Sequence, residues 1–240
     1  MPKLITFFIV GCILSTNVVR SQVALSDSIY YKAATASLDD KVSESSKSLI
    51  YNGVEHSGYF RGIKGIAYLE TDEMTLGSVR YDSIWYKLPI LFDLSTDQVV
   101  IKHFDGLYYV ALINEKIDQF FFNGRSFKNL KLDPFDDKSI SGYHEELYSG
   151  KAIAVYVKRK KILKEQSTAH GIEREFVTNN RFYLLIDSVF HPVKSKSDLL
   201  VLMGNKKKAI ASYIRKNKLQ FNKGRELSIL MAAKEYDEIP

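Results

Sequence analysis

The stretch "IWYKLPILFDL", residues 84–94, alternates with a period of two. Ile84, Tyr86, Leu88, Ile90, Phe92 and Leu94 fall on one face, and Trp85, Lys87, Pro89, Leu91 and Asp93 fall on the other. Successive side chains of a strand point to opposite faces, so this pattern predicts a strand with one buried face. A helix would scatter the same residues around its circumference. Pro89 has no amide proton for a ladder, which predicts an edge position or a bulge there.

The same period continues downstream. "STDQ" turns the chain into "VVIKH", with Val99, Ile101 and His103 on one side, and "FDG" turns it again into "LYYVALIN". In "DQFFFNGRSFKNL" the pair Asn123-Gly124 suits a two-residue type I′ hairpin, whose central positions both need positive φ. Further strands are predicted over 59–69, 76–81, 152–158 and 180–187. No helical pattern of crossover length separates them, so neighbouring strands should pair antiparallel. The expected fold is β-rich α+β, an antiparallel meander of roughly eight to ten strands forming a curved sheet or a barrel-like body. "LDPFDDKSISGYHEEL", residues 132–147, is the longest irregular connection in this reading.

After "HPVKSKS" the period becomes helical. Ser195 or Ser197 can cap a helix containing "DLLVLM", with Gly204 as its stop. Asn205 is placed as the cap of a second helix, with Ile210, Tyr213, Ile214 and Asn217 along one side. Asn222 is placed as the cap of a third, with Leu227, Leu230 and Met231 inward. Three short amphipathic helices should therefore pack on the sheet.

The first residues carry an address. Lys3 is followed by an apolar run from Leu4 to Val10, and Val19 and Ser21 precede a cleavage position before Gln22. This is the pattern of a secretory signal peptide, and it predicts export to the periplasm, the outer membrane or the exterior. "IVGC", residues 9–12, has the form of a lipoprotein cleavage box. The apolar run before Cys12 is short, however, and "ILSTNVV" after it stays apolar, so a cysteine inside a removed signal is the better reading. Cys12 is the only cysteine, so cleavage there removes any disulfide framework, thiolate nucleophile or Cys-based metal site. The domain plan is a signal peptide over 1–21, a Ser- and Asp-rich leader over 22–48, an antiparallel β domain over 49–190 and a basic helical cap over 191–240.

The positive charge is concentrated in that cap. Residues 191–240 hold 11 Lys or Arg against 5 Asp or Glu, whereas residues 22–190 hold 21 against 23. Its densest part is "KKKAIASYIRKNKLQF", residues 206–221. Basic runs often bind nucleic acid, but export argues against that partner. Ala209, Ile210, Tyr213 and Ile214 recur at helical spacing, which leaves Lys206, Lys207, Lys208, Arg215, Lys216 and Lys218 as a wet cationic face. That face is a candidate contact for a membrane surface of anionic head groups, or for an acidic partner.

Catalytic chemistry has few anchors. His103 and Asp105 in "KHFDG" stand two apart, which on a strand would point both the same way, toward a metal or as a polarised imidazole. His144 beside Glu145 and Glu146 in "YHEEL" brings an imidazole next to carboxylates, although adjacent strand residues face opposite ways. "DPFDD", residues 133–137, has the oxygen composition of a calcium cluster without EF-hand spacing, and turn chemistry explains it equally well. No zincin pair, G-x-S-x-G elbow, dinucleotide glycine motif or phosphate-binding lysine loop occurs, and no cofactor is implied.

The stretches "SVRYDSIWYKLPILFDLSTDQVVI", "EREFVTNNRFYLLID" and "KKKAIASYIRKNKLQFNKGRE" together resemble a group of secreted Bacteroidetes proteins with no established activity. The resemblance runs from about Tyr51 to Tyr236, nearly all of the chain beyond the leader. It implies an exported, envelope-associated location and no particular site residue. The expected function is a non-enzymatic envelope module that binds a partner protein, a lipid or a glycan. Two other readings are a carrier of a hydrophobic ligand in a half-barrel and an extracytoplasmic hydrolase with scattered catalytic residues.

Overall fold

A computed structural model describes residues 49–130, 140–169 and 171–239. The expectations for Cys12, the signal peptide, the leader and the Asp133–Asp137 cluster lie outside them. The described part is a long antiparallel meander followed by three helices.

β2 (Thr75–Tyr81), β3 (Ile84–Asp93), β4 (Gln98–Lys102) and β5 (Tyr109–Leu112) follow one another through tight turns, and β1 (Gly53–Glu55) adds outside β5. β6 (Ile117–Phe122) returns to pair with the free side of β2. β7 (Arg125–Leu130), β8 (Gly142–Ser149), β9 (Ile153–Lys158), β12 (Arg181–Ile186) and β13 (Val189–Pro192) extend the sheet from there. The order is β1-β5-β4-β3-β2-β6-β7-β8-β9-β12-β13, eleven strands with edges at β1 and β13, so the sheet is curved and not closed into a barrel. Between β9 and β12, β10 (Lys161–Thr168) and β11 (Gly171–Thr178) form a separate two-stranded ribbon.

The predicted inward face of β3 is observed, but Leu91 and Asp93 of the other face are buried too, so the end of the strand is dry on both sides. Tyr86, Ile90, Phe92 and Leu94 are buried in one core, with Ile84 and Leu88 packed against it. Val99 and Ile101 of β4 and Phe120, Phe122 and Phe127 of the β6–β7 hairpin join them. Asn123 and Gly124 take φ of 48° and 73°, the positive values that the type I′ turn needs. The strand pairing carries this same face onward. Phe127 lies opposite Glu145, Glu145 opposite Val157, and Val157 opposite Phe182.

On that continuation the helices pack. α1 (Lys196–Leu202), α2 (Lys207–Lys216) and α3 (Arg225–Glu238) bury Leu199, Ile210, Ile214, Ile229, Ala232 and Ala233 against Ile153, Val155, Val157 and Leu184. The helical cap therefore covers the second half of the inner face. It does not cover the outer face carried by alternate aromatics, where Trp85 stacks on Phe121 at 5.6 Å.

Curvature brings distant turns together. The β3–β4 turn touches the start of β8 and the end of β9, where Asp97 Oδ2 accepts from Lys158 Nζ at 2.9 Å and from the Tyr143 amide at 3.3 Å. Bulges at Arg80/Tyr81 and Glu146/Tyr148 add local bend, as an extra residue in one strand of a pair does.

Several expectations are corrected. The meander itself has eleven strands, and the two of the separate ribbon come in addition. Residues 59–69 form no strand and make only isolated bridges, Lys64 to Glu175 and Tyr68 to Asp93. Gly65 at φ 76° breaks the extended backbone there. Residues 142–147, read as part of an irregular connection, belong to β8. The ribbon of residues 161–178 was not foreseen. Ser195 does cap α1, with the full reciprocal box to Asp198. Asn205 and Asn222 cap nothing: α2 follows a 3-10 turn over Gly204–Lys206 directly, and Gly224 precedes α3. Leu227 points outward, because α3 buries Ser228, Ile229, Ala232 and Ala233 instead.

Candidate functional site

The two histidine–carboxylate pairs sit in different settings and share no hydrogen bond or ion pair. His103 follows β4 and opens the turn into β5, so it is not on a strand. Its Nδ1 lies 2.9 Å from Asp105 Oδ1, a charge contact in force when the ring is protonated. Asp105 also accepts from the Leu107 amide at 2.9 Å, and this bond together with His103 holds its carboxyl below the usual range. The His103 ring is stacked on Tyr108 at 4.3 Å and lies beside Phe104 at 4.2 Å and Tyr51 at 5.6 Å. It is the bracket of an aromatic turn.

His144 and Glu145 lie on opposite faces of β8, as neighbours on a strand must. Both are buried rather than solvated in a loop, with 0% and 5% exposure. On the inner face Glu145 accepts from Arg125 Nη1 at 3.1 Å and from Arg159 Nε at 2.6 Å. On the outer face His144 Nδ1 lies 3.1 Å from the Gly142 carbonyl oxygen, which can only accept, so Nδ1 carries the proton. Nε2 is then a buried acceptor with no partner among the described residues. Burial pushes the His144 pKa down to about 4, so the ring is neutral at pH 7. Glu146, also on the outer face, is held by Lys128 Nζ and the Tyr156 hydroxyl, each at 2.5 Å. Each carboxylate is thus engaged within the sheet.

A polar aromatic group escaped the sequence reading. Tyr59 donates to Asp93 Oδ2 at 2.7 Å, His56 Nε2 lies 3.1 Å from the Tyr68 hydroxyl, and Asp93 Oδ1 accepts from the Ser95 and Thr96 amides. Burial raises the pKa of Tyr68 to about 12 and raises that of Tyr59 further. Asp93 is fully buried with both oxygens occupied, which makes it the hub of a turn. Nothing in the spacing of His56, Tyr59, Tyr68 and Asp93 marks them as neighbours, because an irregular segment brings them together.

Two surfaces remain. At the β1 edge of the sheet, Val54, Phe104, Leu107, Tyr108 and Tyr109 stand 70, 74, 84, 38 and 42% exposed. Val54 pairs with Ala111, two residues beyond Tyr109, so Val54 and Tyr109 share a face next to the buried patch of Leu91, Val100 and Ala111. On the cap, Lys207, Lys208, Arg215, Lys216 and Lys218 are exposed as expected. Lys206 is not part of that wet face: its Nζ donates to the Ile239 carbonyl at 2.6 Å and lies 4.7 Å from the Tyr236 ring centre. No group of His, Cys, Asp or Glu among the described residues is arranged to hold a metal ion, and no described helix is long and apolar enough to cross a membrane.

Comparison of the chain with protein-family models, with curated proteins and with solved structures finds no match. The reading of function therefore rests on these surfaces.

Proposed function

We propose that this chain is a non-enzymatic, exported envelope protein that serves as a binding or accessory module for a partner protein. The observation that carries the proposal is the apolar corner at the β1 edge. Exposed apolar side chains gathered at one edge of a sheet mark a candidate interaction site. Here the exposed rings are braced: Tyr108 stacks on His103, and Phe104 packs edge-on against Tyr51 at 5.5 Å. Braced aromatics lose little conformational freedom when a partner covers them.

The occupant that fits is an extended apolar segment of the partner. Among the described residues β1 is a terminal strand, and its outer side offers backbone donors and acceptors for one more strand. Side chains of such a segment would seat beside Val54 and Tyr109. The opposite edge is less suited, because Pro192 ends β13 and lacks an amide proton. The interior of the curl, where a half-barrel carrier would keep a ligand, is filled by Phe92, Phe120, Phe127 and Tyr143. The exported, envelope part of the proposal is supported by the pattern of residues 1–21 and by the resemblance of the chain to secreted proteins.

The test is site-specific photo-crosslinking in the native envelope. A photoreactive residue at Leu107 should give one reproducible protein adduct, and the same probe at Ile172 on the ribbon should give none. Val54→Asp should abolish the Leu107 adduct. No adduct at Leu107, or equal adducts at both positions, would sink the proposal.

A further inference from the structure

α2 breaks a local rule without a structural return. The amino end of a helix carries partial positive charge, so acids stabilise it and cations oppose it. α2 has no acid in its first turn and no side-chain cap, yet it is entered through Lys206, Lys207 and Lys208. Lys206 is accounted for by its bond to the end of α3. Lys207 and Lys208 are exposed and make no ion pair among the described residues. A sequence that places charge against its own helix, with nothing gained in the fold, points to a role outside the fold.

Three of the five acids of the cap are engaged within the fold, while Glu235 and Glu238 lie near Tyr213 of α2 without an ion pair among the described residues. Asp198 is spent in the α1 capping box and accepts from the Lys194 and Ser195 amides. Glu226 is held by Arg159. Asp237 accepts from the Tyr148 hydroxyl and from the Lys151 and Ala152 amides. Arg215, Lys216 and Lys218, by contrast, are exposed and unpaired among the described residues. α1 and α3 pack on α2, and each also exposes an aliphatic side chain, Val201 at 65% and Leu227 at 57%.

The residue types separate two anionic partners. Four of the five free cations are lysines, compact charges without the planar fork that grips one carboxylate in two places. Scattered point charges with aliphatic side chains on the flanking helices match a delocalised charged plane better than a folded acidic protein. We infer that the outer face of α2 docks the protein on an anionic lipid bilayer, with Lys207, Lys208, Arg215, Lys216 and Lys218 toward the head groups. This goes beyond the partner-binding proposal and stands or falls without it.

Each cation near such a surface strengthens partition by about fivefold, and added salt screens it. The full chain is floated with vesicles of phosphatidylcholine alone and with vesicles that also contain phosphatidylglycerol. Binding is expected only to the anionic vesicles and should fall as salt rises. The Lys207→Glu, Lys208→Glu, Lys216→Glu chain should lose at least about tenfold in partition, whereas Lys164→Glu on the ribbon should lose nothing. The neutral set Lys207→Gln, Lys208→Gln, Lys216→Gln should move the same way by less, so a folding fault in the reversed chain does not decide the matter. Equal binding to both vesicle types, or no change in either variant set, overturns the inference. Salt-sensitive binding to polyglutamate without binding to vesicles also overturns it and assigns the face to an acidic polypeptide.

Discussion

Arg159, just beyond β9, grips Glu226 in the first turn of α3 through two bonds, Nη1 to Oε2 at 2.6 Å and Nη2 to Oε1 at 2.9 Å. Its Nε holds Glu145 at 2.6 Å, Glu145 is shared with Arg125, and Arg125 also binds Glu70. An alternating chain of charges thus runs from the loop before β2, across β7 and β8, into the helical cap. Burial opposes the Arg159 charge, but Glu226 and Glu145 overcome that and hold its pKa above the ordinary value.

Arg159→Met should therefore cost about 3 kcal/mol, because it leaves Glu145 buried with Arg125 as its remaining cation. Glu226→Gln keeps Arg159 on Glu145 and should cost about 1 kcal/mol. Urea unfolding of the two single variants and the double variant measures the coupling. Equal costs for the two single changes would show that the fork, rather than the buried Glu145, governs the junction.

Lys206 supplies what α3 lacks. α3 has no basic residue in its last turn, and the Lys206 ammonium, reaching from the start of α2, bonds the Ile239 carbonyl at 2.6 Å and the Tyr236 carbonyl at 3.3 Å. Cations at a helix carboxyl end satisfy orphan carbonyls and complement the dipole. Lys206→Met should speed hydrogen exchange across residues 235–239 and cost about 1 kcal/mol. Lys207→Met next to it should leave that exchange unchanged, since Lys207 opposes the helix dipole and has no bond among the described residues.

The first half of β3 was legible because it has one wet and one dry face. β3 showed its alternation because Tyr86, Ile90 and Phe92 meet the core while Trp85, Lys87 and Pro89 do not. The β10–β11 ribbon gave no such signal, because it stands beside the sheet with both faces largely exposed and is laced by charge pairs such as Arg174 with Glu165. β8 read as a polar connection because its buried positions are filled by His144 and Glu145, whose partners lie far away in sequence. The inward face of α3 differs from the expected Leu227, Leu230 and Met231, of which Leu227 is exposed and the other two are half-buried. Close packing against β9 instead selects Ile229 together with the small side chains Ser228, Ala232 and Ala233. Of the candidate surfaces, the cationic face was readable from composition, whereas the apolar corner needed the pairing of β1 with β5.

Gly142 marks the point where the curled sheet meets its own turn. Its φ is 92°, and a Cβ there would lie 2.1 Å from Asp97 Oδ2. Burial raises the Asp97 pKa against the pull of Lys158, so this carboxylate depends on the bonds from Lys158 and the Tyr143 amide. Gly142→Ala should cost about 3 kcal/mol by expelling Asp97 and straining the backbone. Adding Asp97→Ala should recover only part of the loss in urea unfolding, since the left-handed backbone persists. Full recovery would assign the whole cost to the clash.

His144 should make stability depend on pH. Its ordinary pKa of 6.5 applies to the unfolded chain, while burial depresses the folded value to about 4, with Lys158 adding to the effect and the Gly142 carbonyl opposing it. Above pH 6.5 both states are neutral at this ring and its contribution is complete. As pH falls from 6.5 toward 4 the unfolded chain takes up a proton that the folded protein refuses, so stability is lost progressively over that window. The total is about 3 kcal/mol, of which about 2 kcal/mol should be gone by pH 5. The ring faces the Tyr183 ring at 5.5 Å and keeps its bare Nε2 buried, so no carboxylate among the described residues bonds the imidazolium. Urea unfolding at pH 7, 6 and 5 should show this slope in the parent chain. In His144→Asn less than half of it should remain, with the residue due to carboxylates elsewhere. An unchanged slope in the variant would mean that His144 gains a partner on protonation, and the neutral, Nδ1-protonated assignment would fail.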